Sequence, residues 1–66
     1  MKFFLNGKET EIEKPITLLQ LLKDMKIVPE IVACEMNEKI VKRAEYGKAV
    51  ISDGDRIEIL QMIGGG

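Results

Sequence analysis

The sequence predicts an α+β domain, a mixed sheet of four to five strands with one helix packed across one face. Three observations carry that prediction. Two short alternating runs meet at Asn6-Gly7. One capped amphipathic segment lies between Thr17 and Pro29. Alternating runs then resume and continue to Ile63. The order is strand, strand, helix, strand, strand, strand.

Residues 2–6 and 8–13 read as a hairpin, because Asn-Gly tolerates the positive φ of a tight type I′ turn. Alternation puts Phe3, Leu5, Thr10 and Ile12 on one face and turns Glu9, Glu11 and Glu13 to solvent, with Phe4 on the side opposite Phe3. Thr17 caps a helix by accepting from the Gln20 amide, and the Gln20 side chain can return to the Thr17 amide. Ile16 and Leu21 take the staple positions. Leu18, Leu22 and Met25 form one apolar stripe that Leu21 widens. The helix is expected to reach about residue 26, with Lys23 and Lys26 at its negative end and Pro29 barring continuation.

Residues 31–36 form a third strand with Val32, Cys34 and Met36 on one face, and Asn37-Glu38 a tight turn into a fourth at 39–43. Residues 44–49 are a polar connection holding Tyr46, and Ser52-Asp53-Gly54-Asp55 is a turn. Residues 56–63 are the last strand, in which Ile57 and Ile59 alternate with Glu58, Leu60 and Met62.

Composition narrows the function. With 66 residues, a core and a deep substrate cavity compete for the same chain, which argues against a self-contained enzyme. Ten basic against eleven acidic residues give no electrostatic case for nucleic acid or an anionic membrane. Without histidine there is no Ser-His or Cys-His pair and no common zinc ligand. One cysteine forms no disulfide framework and no multi-cysteine metal site. No run approaches the length of a spanning helix, and a lone thiol fits a reducing compartment, so a cytoplasmic location is expected.

The informative feature is the ending Gly64-Gly65-Gly66. Glycine loses the most entropy on ordering and buries no side chain, so the stretch adds little to a fold. It reads either as a frayed terminus or as a side-chain-free lead that threads a narrow channel, with the Gly66 carboxylate as the reactive group. Three extended residues reach about 10 Å. A carboxylate is a poor electrophile and needs activation, most simply as an acyl-adenylate.

Four stretches go further: Phe3-Phe4-Leu5-Asn6-Gly7; Ala33-Cys34-Glu35-Met36-Asn37; Ile40-Val41-Lys42-Arg43 with Tyr46 after it; and Asp53-Gly54-Asp55-Arg56-Ile57-Glu58-Ile59 running toward Gly65-Gly66. In this order and spacing the whole chain resembles the ubiquitin-like β-grasp sulfur carriers, and among them the carriers of thiamine biosynthesis. Gly64 departs from the other small residue that the family often has there. The resemblance implies a β-grasp domain over residues 1–63 and a flexible glycine tail over 64–66. It implies that a partner adenylyltransferase of the ubiquitin-activating type uses ATP to adenylate Gly66. A cysteine desulfurase or other donor then supplies sulfur, and the resulting thiocarboxylate serves thiazole synthase. No cofactor is held stably, since the ATP belongs to the partner. Delivery to molybdopterin synthesis, conjugation to other proteins, and a β-grasp binding module with an idle tail stay open as alternatives.

Phe4, Leu60 and Met62 share the face opposite Phe3, Leu5, Ile57 and Ile59. With the first and last strands as neighbours, the three are expected to form one apolar docking patch beside the tail. Cys34 reads as a small core hydrophobe rather than a sulfur handle. Arg43, Arg56, Lys39, Lys42 and Lys48 read as a solvated face, and Tyr46 as a packing residue.

Overall fold

Asn6 and Gly7 both sit at positive φ, 49° and 82°. That turn matches the twist of paired strands and folds β1 (Lys2–Leu5) onto β2 (Lys8–Glu11), with Leu5 facing Lys8. The computed structural model describes residues 1–62. Both strands end earlier than expected, at Leu5 and Glu11.

Thr17 closes a two-residue strand, β3 (Ile16–Thr17), and caps α1 (Leu18–Asp24), its Oγ1 accepting from the Gln20 amide at 3.1 Å. The Gln20 side chain donates instead to Asp24 Oδ1 at 2.9 Å, an i,i+4 pair on the exposed face, rather than returning to Thr17. Leu18, Leu21 and Leu22 are buried, but Met25 is 41% exposed. The expected stripe stops short because the helix has only two turns. Met25 follows it as the cap and lines an open groove of about 280 Å³ with Val28, Ile31 and Gln61.

Beyond a 3₁₀ turn at Pro29–Ile31, β4 (Val32–Met36) pairs with β5 (Lys39–Val41) through Asn37-Glu38, at φ 53° and 70°. The expected extension of β5 to residue 43 is lost to a 3₁₀ turn at Arg43–Glu45. β6 (Val50–Ile51) pairs with β3 as a small separate ladder, an element with no periodicity to announce it. β7 (Arg56–Gln61) completes the main sheet, whose order is β2-β1-β7-β4-β5. β7 runs parallel to β1 and antiparallel to β4, so the first and last strands are central neighbours.

The helix covers the face that carries Phe3, Ile57, Ile59, Cys34 and Val32. Leu18, Leu22, Ile51 and Tyr46 fill the space between. Each fully buried aliphatic or aromatic side chain contributes about 1.5–3 kcal/mol of transfer free energy. In a domain of this size that packing sets how firmly β7 is held.

Candidate functional site

β7 is the last strand before Gly64-Gly65-Gly66 in the sequence, and contacts from several elements grip it. At its start, the Ser52–Asp55 turn is tied down by Ser52 N to Asp55 Oδ2 (2.9 Å) and by Gly54 N to Lys2 O (2.7 Å). Gly54 takes φ 86°, which its neighbours could adopt only with strain. Asn37 grips the next residue, with its Oδ1 accepting from Arg56 N (3.0 Å) and its backbone N–H donating to Arg56 O (2.7 Å). On the β1 side, Asp55 O and Ile57 O accept from Phe4 N and Asn6 N, both at 2.8 Å. β1 then ends. The Asn6 side chain takes over: Oδ1 accepts from Ile59 N at 2.8 Å and Nδ2 donates to Ile59 O at 3.3 Å. Sequence reasoning missed this contact, because an asparagine before glycine reads only as a turn residue. On the opposite edge, Met62 N donates to Ile31 O at 2.8 Å.

The outer face of the sheet carries Phe4, Leu60 and Met62, which are 37%, 54% and 53% exposed. They do not form one patch. Phe4 is level with Arg56 and Leu60 lies four residues further along β7, about 13 Å away. Arg56 and Glu58 share that face between them, and the Arg56 guanidinium carbon stands 5.9 Å from the centre of the Phe4 ring. Leu60 and Met62, beside Ala33, make the apolar surface at the end of the strand. Gly64, Gly65 and Gly66, and the expected boundary at 63/64, lie outside the described residues.

Cys34 is buried mid-strand opposite Ile59, and burial pushes its thiol above the ordinary value. A neutral thiol without access is a poor nucleophile. Tyr46 is buried beside it, its hydroxyl donating to Val32 O at 3.4 Å. Burial first, and the neighbouring Cys34 second, push its phenol up to about 12. Lys39, Lys42, Arg43 and Lys48 are exposed, as is the Lys2–Glu9 pair at 3.0 Å. Among the described residues no three metal-ligating side chains are gathered for an ion, and no helix is long and apolar enough to cross a membrane.

Residues 3–66 match the model of the ThiS family. The chain belongs to the ThiS family. The sulfur carrier protein ThiS of Bacillus subtilis is 35% identical over 63 residues, covering 94% of this chain and 96% of that one. The crystal structure of the thiamine biosynthesis protein ThiS from Geobacter metallireducens superposes with a TM-score of 0.86 at 29% identity, over the full length of both chains. The fold is thus the β-grasp of ThiS. A thiazole synthase of Magnetococcus marinus is 42% identical over all 66 residues, which make up 20% of that protein. A second, from Paramagnetospirillum magneticum, is 36% identical over the same span and share. The chain therefore spans about one-fifth of the length of these two relatives. Against the ThiS frame, the sequence-predicted tail falls at the end of the matched region.

Proposed function

We propose that this chain is a sulfur carrier of thiamine biosynthesis and that its working group is the Gly66 carboxylate. The support is the likeness to the Bacillus carrier over nearly all of both chains, joined to the ending Gly64-Gly65-Gly66 that follows β7 in the sequence. The carboxylate attacks the α-phosphate of ATP in a partner adenylyltransferase of the ubiquitin-activating type, and pyrophosphate leaves. The persulfide of a cysteine desulfurase, or another sulfur donor, then attacks the acyl carbon and AMP leaves. A thiol then attacks the desulfurase sulfur of the resulting acyl disulfide, forming a disulfide with it and releasing the thiocarboxylate. The acceptor is thiazole synthase, a choice favoured by the relatives that bear that name and contain a copy of this module. Leu60 and Met62 form the surface that the activating partner meets, and Phe4 contributes separately from its own end of the sheet. The chain carries rather than catalyses, and works in the cytoplasm, where ATP and reduced thiols are at hand.

Intact mass spectrometry tests this. The untagged protein, its terminus native, is incubated with ATP, an activating enzyme competent on another carrier, and a sulfur source. One oxygen exchanged for sulfur, mapped to Gly66, is the expected result. Neither adenylate nor thiocarboxylate would sink the carrier reading and leave a binding module.

A further inference from the structure

The Asn6 side chain does for β7 what a further residue of β1 would do. Its amide presents one acceptor and one donor, at 2.8 and 3.3 Å, to the N–H and C=O of Ile59. The parallel β1–β7 pairing has only two registered pairs, Phe4 with Arg56 and Leu5 with Ile57. Asn6 cannot extend it with its backbone, because at φ 49° the chain is already turning away. Backbone groups of residues 55, 57 and 59 face this edge, while Arg56 O and Met62 N face β4. By that alternation the next groups on the β1 edge belong to Gln61, and β1 has ended before reaching them. Ile59 is therefore the last residue of β7 bonded on the β1 edge, and beyond it β7 is held on the β4 edge alone.

We propose that Asn6 is a positioning residue for the chemistry at Gly66, acting through Ile59. The inference rests on the carrier reading given above. A reacting carboxylate must arrive in a narrow range of positions, and small displacements there cost large factors in rate. What steadies that arrival is the stretch of β7 held on both edges. Without the Asn6 amide the β1-edge hold ends at Ile57, and residues 58–62 are carried on the β4 edge alone. Leu60 and Met62 stay anchored on the β4 side, through the pairing of Leu60 with Ala33 and the Met62 bond to Ile31. The surface that meets the partner is thus retained while the end of β7 loses its second support. The loss falls on turnover rather than on docking.

Asn6→Gly is the decisive variant, since glycine accepts φ 49° and keeps the turn while removing only the amide. Asn6→Asp keeps the acceptor for Ile59 N and loses the donor to Ile59 O, so its effect is expected to lie between. Steady-state adenylation is measured with an activating enzyme of the ubiquitin-activating type, well below the melting midpoint, alongside amide hydrogen exchange. Tyr46→Phe serves as a control that loses one hydrogen bond to β4, at Val32, and none made by β7 itself. Asn6→Gly is expected to lower kcat about three- to tenfold with KM within about twofold, and to speed exchange at Ile59. Tyr46→Phe is expected to keep the wild-type kcat. A wild-type kcat in Asn6→Gly, or an equal loss in Tyr46→Phe, overturns the proposal alone. A wild-type chain that is not adenylated at all overturns the carrier reading and this proposal with it.

Discussion

The amide of Ile27 donates to the carbonyl of Leu22 at 2.9 Å, reaching back across a Lys26 held at φ 60°. With Lys26 N on Lys23 O at 3.0 Å, this is the paired closure that usually places glycine at the left-handed position. A lysine there carries steric strain of about 1–2 kcal/mol. Glycine removes the strain but costs chain entropy and forfeits a favourable charge at the helix end. Lys26→Gly is expected to stabilise by about 0.5–1 kcal/mol, raising the melting midpoint by about 2–8 °C in a domain of this size. An unchanged or lower midpoint in thermal unfolding would refute it.

Tyr46 and Cys34 tie stability to alkaline pH. Tyr46 rises from 10.0 to about 12 on folding, and burial raises Cys34 from 9.0. The folded state thus holds both protons more tightly than the unfolded chain does. Their contribution is complete below about pH 9 and is lost as pH rises through 12. The chain has one tyrosine and no tryptophan, so phenolate absorbance follows Tyr46 alone. Its midpoint should stand well above 10 in the native protein and near 10 in concentrated urea. The urea midpoint should fall between pH 9 and 12. A native phenol titrating near 10 would contradict the burial argument.

The separation of Phe4 from Leu60 makes the outer face a graded surface. Leu60→Arg places a charge in the apolar area next to Met62. It is expected to slow adenylation about tenfold or more, with little change in melting, because Leu60 is more than half exposed. Phe4→Ala, on β1 level with Arg56 and so four residues back from Leu60, is expected to stay within about threefold. Equal losses from the two variants would restore the single-patch expectation, and wild-type rates in Leu60→Arg would remove docking from this face.

What could be read from the residues was what local chemistry decides. Asn6-Gly7 announced its turn and Thr17 its cap because each satisfies a nearby backbone requirement. Alternation sorted Phe3, Ile57 and Ile59 from Phe4 and Leu60 correctly by face. It gave no position along the strand, which is why Phe4, Leu60 and Met62 are expected from the sequence to form one patch. That needs the β1–β7 register, a fact about residues fifty apart. The end of the helix was misjudged because lysine carries no signal for a left-handed cap, and Met25 was drawn into the stripe as a result. The β3–β6 ladder is too short for any period. Of the candidate site, the ending was legible as three glycines, while the grip of Asn6 on Ile59 was not, since nothing in an asparagine names a partner 53 residues away.

The parallel neighbours at the centre of the sheet also order events in time. β1 has no partner for its inner edge until residues 55–57 exist. A chain growing from its first residue can form the β1–β2 hairpin and α1 early, because their contacts are local. It cannot close the core, since Ile57 and Ile59 are two of its walls. Joining the two ends has the largest sequence separation in the sheet and is therefore expected to be the slow step of assembly. That same step brings Asn6 to Ile59. On the carrier reading proposed above, a half-folded chain lacks the Asn6–Ile59 contact, so completion of the fold comes before loading.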